Sequence, residues 1–257
     1  MPEGDTIHRA VARLTPHLAG KRVRTLELPR RAQVVERVAG SSVTRIEARG
    51  KNLLIHFEGE SDAVVLHTHL KMNGAWRAYG PGAPRPRRSG SVVVWLEVED
   101  GSLAVCTGAP VVRLLRARDL ARDPRLAPLG PDPIGAFDRR EALRRLRERA
   151  DLPLGEALLD QGAVAGIGNV WKSELCFQHG LDPFSPVRAF TEEELDALLA
   201  SAERGMRRSA LGRPRPNRVY GRAGQHCLRC GEPIAMRRQG AMRRSTYACA
   251  SCQPPRS

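Results

Sequence analysis

Four cysteines near the C-terminal end constrain this chain more than any other feature. Cys227-x2-Cys230 and Cys249-x2-Cys252 are separated by 18 residues. Each Cys-x2-Cys knuckle can offer two thiolates to one ion, so the two pairs suit a single tetrahedral zinc. The segment between them carries Arg237, Arg238, Arg243 and Arg244. A β-hairpin hung from the metal would expose those arginines. Four protein ligands leave no open coordination position, so such a zinc is structural. Two disulfides are the alternative, and they suit a cytosolic chain poorly. Cys106 and Cys176 stand alone among apolar residues and are read as buried thiols.

A structural zinc says nothing about a partner; the charge does. The 257 residues carry a net charge of +14. Of the 42 basic residues only Lys21, Lys51, Lys71 and Lys172 are lysine. Guanidinium forks match phosphate geometry, so a polyanion is the expected partner. An arginine-using genome would explain the Arg/Lys ratio but not the excess charge. Aromatic residues make up only 4% of the chain, which argues against a base-stacking platform for single strands. No run of 18 apolar residues occurs and the N-terminus has no signal-peptide pattern, so the expectation is a cytoplasmic protein with no membrane span.

Periodicity divides the chain. Ile7, Val11, Leu14 and Leu18 recur at helical spacing, predicting a helix over 4–18 that Gly20 ends and Pro16 loosens in its last turn. Short β-rich runs follow at 22–28, 43–48, 52–57, 63–69, 74–79, 91–98, 101–106 and 110–116. Their close spacing and intervening turn residues read as a β-sandwich or barrel. Residues 117–137 hold Pro124, Pro128, Pro131 and Pro133 and read as a linker. Beyond it, helices are expected over 138–149, capped by Asp138, over 154–161, over 168–179, and from Thr191 to about 209 with Glu194 completing a capping box.

Three stretches carry candidate chemistry. The chain opens Met1-Pro2-Glu3-Gly4. Initiator methionine is commonly trimmed before proline, which would free the secondary amine of Pro2. An α-amino group titrates near about 7.7–8.0, and a helix N-terminus lowers it further, so it can be neutral and nucleophilic. Glu3 beside it could shuttle protons. Arg49-Gly50-Lys51-Asn52 is a turn leading into a strand. Lys51 there suits phosphate binding or catalysis, or is simply a turn lysine in solvent. In 158–170 an apolar helix ends, Gly162, Gly166 and Gly168 turn the chain, and Asn169 opens a second helix. Free N–H groups at that helix start can seat a phosphate; a packed helical hairpin would read the same way.

Taken together, Pro2-Glu3-Gly4, Arg49-Gly50-Lys51, the stretch 158–170 and Arg244-Ser245-Thr246 before Cys249 resemble the formamidopyrimidine-DNA glycosylase/endonuclease VIII family of base-excision repair enzymes. The motifs stand in the family's order and span nearly the whole chain. The opening Pro-Glu-Gly-Asp-Thr-Ile is similar to the endonuclease VIII-like branch. The resemblance implies an α+β protein of two domains. Residues 1–122 would form a catalytic β-sandwich with an N-terminal helix, and 123–137 a linker. Residues 138–222 would form a helix-two-turn-helix DNA-binding domain, and 223–257 the zinc finger.

It also implies roles. Pro2 would attack C1′ of the damaged nucleotide, with Glu3 as general acid/base. Lys51 would bind the phosphate near the lesion and assist protonation, and Asn169 and Arg244 would hold backbone phosphates, with Gly166 and Gly168 shaping the Asn169 turn. Lys71, Met72 and Asn73 would fill the hole left by a flipped base, with Met72 as the wedge. One structural zinc would sit on Cys227, Cys230, Cys249 and Cys252. The partner would be damaged double-stranded DNA, bound by a monomer. The chain departs from the family in two places. The stretch Thr107-Gly108-Ala109-Pro110-Val111-Val112 lacks the Arg/Phe pair with which formamidopyrimidine-type members read the opposite base. The finger hairpin is also slightly long. The expected activity is a bifunctional glycosylase and AP lyase on oxidised pyrimidines, cutting by β,δ-elimination. The same chemistry on oxidised purines, a non-catalytic zinc-finger DNA-binding protein and an RNA-binding protein are the alternatives.

Overall fold

Amphipathic spacing in the first 20 residues organises the N-terminal unit. The computed structural model describes residues 2–29, 33–59 and 62–257. The chain forms two compact units, Met1–Ala127 and Pro128–Ser257.

In the first unit, helix α1 (Gly4–Leu18) buries Ile7, Ala10, Leu14 and Leu18. Pro16 is accommodated inside its last turn, and Gly20 follows at φ 75. Nine strands follow among the described residues: β1 (Val23–Leu28), β2 (Gln33–Val34), β3 (Ser42–Arg49), β4 (Asn52–Glu58), β5 (Val64–His69), β6 (Ala75–Tyr79), β7 (Val92–Val98), β8 (Leu103–Thr107) and β9 (Val111–Arg116). They make two antiparallel sheets, ordered β2-β1-β7-β8-β6 and β3-β4-β5-β9. One core joins α1 to both sheets, through Leu26, Val94, Leu96 and Ala104 on one and Leu53, Ile55, Phe57 and Leu66 on the other. Each of the Leu, Ile, Val and Phe side chains contributes about 1.5–3 kcal/mol when fully buried. The chain changes sheets between β2 and β3, between β5 and β6, and between β8 and β9. The last two crossings contribute to the site described below.

The second unit is helical. Asp138 accepts the Glu141 N–H and caps α2 (Arg139–Arg147). Then come α3 (Leu154–Ala157), α4 (Asn169–His179) and α5 (Glu192–Ala210), which opens on the capping box of Thr191 and Glu194. Leu146, Leu158, Ile167, Trp171, Leu175, Leu195 and Leu199 share its core. The expected helix over 154–161 is shorter than its apolar pattern. Asp160 and Gln161 end it, because their side chains serve the following turn. Asp160 accepts the Gly162 N–H at 2.8 Å. Gln161 donates to the carbonyls of Leu159 and Ile167 and accepts the Gly166 N–H. A hairpin of β10 (Ala235–Gln239) and β11 (Arg244–Ala248) completes the unit, over a small core of Phe177, Val219, Cys227, Ile234 and Cys249. No helix among the described residues is long and apolar enough to cross a membrane.

Candidate nucleic-acid site and metal centre

Glu3 is fully buried as the N-cap of α1, where its carbonyl accepts the N–H groups of Thr6 at 2.9 Å and Ile7 at 3.2 Å. Pro2, before it, is half-buried. Met1 lies outside the described residues. The far end of α1 is pinned to the start of β3, where the Gly20 N–H donates to the Val43 carbonyl at 2.8 Å. His17 stands against Gly80, just past the end of β6. A 15-residue helix is about 22 Å long, close to the length of β3 and of β6 read back to Gly74. Pro2 and Glu3 therefore fall toward the sandwich end that carries the β3–β4 and β5–β6 turns.

The first of these turns is held from behind. Gly50 takes a φ of 57, which suits glycine, and Lys51 follows it half-buried. The Asn52 amide donates to the Arg49 carbonyl at 3.0 Å across the turn. Its oxygen faces Nε2 of the buried His67 at 2.9 Å, so that nitrogen carries the proton. Burial, reinforced by Arg113, pushes His67 down to about 4 and keeps the ring neutral near pH 7. His69 is the register partner of Asn52. Burial, then the charge of Lys51 and of Lys71, pushes it down to about 4 as well.

The second turn is Leu70–Gly74. Lys71 sits at φ 48, and its N–H donates to Nδ1 of His69 at 3.2 Å. With Nδ1 accepting, Nε2 of His69 keeps a proton to donate. Lys71, Met72 and Asn73 are all exposed, Met72 by 60%, so the methionine is not a core residue. A Cβ on Gly74 would lie 2.7 Å from the Leu70 carbonyl oxygen, and one on Gly108 would lie 2.8 Å from the Asn73 carbonyl oxygen. Only glycines allow these two sheet crossings to pack this closely. The β8–β9 crossing is only Gly108-Ala109-Pro110, with no arginine or aromatic to extend into a partner. His67, Asn52 and Gly108 were not singled out for these roles in the sequence, since nothing at the level of spacing marks a residue that supports a turn from another strand.

In the second unit Gly166 takes a φ of 90, Gly168 is the N-cap of α4, and Asn169 is its first residue, with 8% of its surface exposed. Arg243 occupies the finger turn at φ 47, whereas Arg244 begins β11 opposite Gln239. Arg244 lines a cleft of about 330 Å³ with Glu156, Leu159, Asp160 and Gln239; Arg243 does not border it.

The four knuckle cysteines converge, with all Sγ atoms within 4.8 Å of one another. Cys230 and Cys249 lie 3.5 Å apart and Cys227 and Cys252 3.9 Å, and none is disulfide-bonded. Tetrahedral Zn–S bonds of about 2.3 Å set sulfurs about 3.8 Å apart, so the set fits one such ion. The Glu232 N–H pulls the Cys230 thiol down to about 7, while burial and the neighbouring sulfurs push Cys252 up to about 12, so without a cation among them the four thiols do not ionise together.

Comparison with known proteins agrees with this geometry. Residues 1–108 match the formamidopyrimidine-DNA glycosylase N-terminal domain and residues 129–213 its H2TH domain. The chain is 39% identical over 270 residues to a Streptomyces coelicolor protein named probable endonuclease 8 2, covering 98% of this chain and 94% of that one. It is 37% identical over 266 residues to the Mycolicibacterium smegmatis DNA-(apurinic or apyrimidinic site) lyase Nei2, covering 98% and 99%. The crystal structure of the MutM (Fpg) protein from Thermus thermophilus superposes over 100% of both chains with a TM-score of 0.80 and 29% identity. Two matched domains, a sandwich led by a Pro-Glu helix start with Glu3 buried, and a four-cysteine hairpin together make this chain a member of the formamidopyrimidine-DNA glycosylase/endonuclease VIII family, on its endonuclease VIII-like side.

Proposed function

We infer that this chain is a bifunctional DNA glycosylase and AP lyase of base-excision repair, acting on oxidised pyrimidines in duplex DNA. The observation that supports this reading is the anchoring of the far end of α1 at Val43 and Gly80, from which the helix runs back toward the sandwich end with the Lys51 turn and the exposed Lys71-Met72-Asn73 turn. With Met1 removed, the Pro2 amine attacks C1′, and the C1′–N bond to the base breaks. The Pro2 nitrogen gives up its one hydrogen and the Glu3 carboxyl supplies a second proton; one of the two goes to the departing base and the other to O4′ as the sugar ring opens, which leaves an iminium between Pro2 and C1′. Loss of a C2′ proton then expels the 3′-phosphate, a second elimination expels the 5′-phosphate, and water releases the sugar fragment from Pro2. Attack on C1′ requires the nucleotide out of the stack, and Met72 enters the gap.

Lys51, with His69 beside it, holds a phosphate next to the lesion; Asn169 and Arg244 hold phosphates from the second unit. A zinc ion on Cys227, Cys230, Cys249 and Cys252 would fix the hairpin that bears Arg244. The short Gly108-Ala109-Pro110 connection supports pyrimidine lesions over 8-oxoguanine, since it offers no side chain to read the opposite base. Single-turnover cleavage of thymine glycol and 8-oxoguanine duplexes tests the reading. Thymine glycol should be excised faster, and Glu3→Gln should slow excision by about 10²–10⁴-fold while duplex binding persists. Faster 8-oxoguanine excision would move the chain to purine lesions.

A further inference from the structure

Lys172 is the one lysine in the second unit, and it is fully buried. Its ammonium donates to Oγ1 of Thr246 at 2.6 Å and to the Ser245 carbonyl at 3.3 Å. The Thr246 hydroxyl in turn donates to Oε1 of Gln239 at 2.8 Å, and the Gln239 amide donates to the Pro183 carbonyl at 2.8 Å. Thr246 and Gln239 are themselves buried. This chain of donors therefore runs one way, from a cation at the second turn of α4, through the finger hairpin, to the loop before Val187.

The neighbours of Lys172 grip the same module. Ser173 Oγ accepts the Tyr247 N–H at 3.3 Å, and the Glu174 carboxylate accepts the N–H groups of Arg218, Val219 and Tyr220 at 2.8–3.0 Å. Gln239 is the register partner of Arg244, the first residue of β11. Asn169, three residues before Lys172, is the first residue of α4. A buried ammonium is costly unless bonded on several sides; here its bonds end one and two residues from Arg244.

We propose that Lys172 is a positioning residue that fixes Arg244 to the helix beginning at Asn169, so that the two form one preformed phosphate clamp. The proposal rests on the reading above that Arg244 contacts phosphate. Lys172 itself cannot reach DNA, because no part of its side chain is exposed. Preorganisation is its contribution: without the link, Arg244 must be ordered at the moment of binding, and its contact is lost.

The test uses the full-length protein and a duplex bearing a tetrahydrofuran abasic analogue, with Kd measured across a salt series for Lys172→Met, Arg244→Ala and the double variant. Lys172→Met should weaken binding about tenfold and flatten the log K against log salt slope by about 0.9, the value of one phosphate contact. The double variant should bind no more weakly than the weaker single. Metal content should stay at the wild-type level. If Lys172→Met fails to fold, Thr246→Val cuts the same link with little change in shape and should give the same slope change. Equal losses from Lys172→Met with and without Arg244, or an unchanged slope, would overturn the proposal and leave Lys172 a packing residue. If Arg244→Ala alone changes neither Kd nor slope, the phosphate role of Arg244 falls, and this proposal with it.

Discussion

At the scale of single residues, the Lys51 end of the sandwich depends on groups that never need to touch DNA. The Asn52 amide spans the turn and the neutral His67 holds it. His67 has a folded-state value of about 4 against an ordinary 6.5. Between those values the unfolded chain takes up a proton that the folded one refuses, so stability falls as pH drops through the window and is flat above it. At about pH 5.5 this costs on the order of 1 kcal/mol for His67. Histidine ring NMR should show both His67 and His69 unprotonated at about pH 6, with amide exchange in β4 and β5 faster at about pH 5 than at pH 7. A ring titrating near 6.5 at either position would refute the burial argument. Gly74 is a second such residue. Gly74→Ala presses a methyl into the Leu70 backbone, and overpacking of this kind costs about 1–3 kcal/mol. Thermal unfolding should register that loss, with weaker binding to lesion duplex because the Lys71-Met72-Asn73 turn shifts.

At the scale of elements, periodicity and caps were legible and supports were not. Among the described residues, α1 and the eight first-unit strands longer than two residues lie within a residue or two of their apolar and β-branched runs. Asp138 and Thr191 cap where their spacing to Glu141 and Glu194 says they should. β2 escaped because two residues have no period. α3 ended early because Asp160 and Gln161 spend their side chains on the next turn, a choice that apolar spacing does not record. The knuckles were plain from spacing alone, whereas the seat of Arg244 depends on Lys172 and Gln239, far apart in sequence. The finger gives a direct prediction. Cys249→Ser should release the metal and disorder β10 and β11, with large loss of DNA affinity. Circular dichroism should still report the first unit's sheets, since their core shares no residue with the finger. Well under one zinc per chain in fully active wild type would show that these cysteines are not a structural metal site.

At the scale of the whole molecule, charge and family agree on DNA. The net charge of +14 should make binding to undamaged duplex steeply salt-dependent, with log K falling by about 0.9 per neutralised phosphate per decade of salt. On the reading proposed above, lesion recognition rests on the apolar Met72 and should be far less sensitive to salt, so selectivity for damage should rise as salt increases. The composition announced a polyanion, and the four separated motifs announced the chemistry; what lay beyond them was how two sheet crossings and one helix start meet at one end of a sandwich. The central claim is that the Pro2 amine is the nucleophile. Borohydride trapping on an abasic-site duplex, with the crosslinked residue located by mass spectrometry, tests it most directly. The account predicts an adduct on Pro2, lost when one extra residue precedes it and partly retained in Pro2→Gly. An adduct formed on Lys51 with Met1 still in place would contradict it.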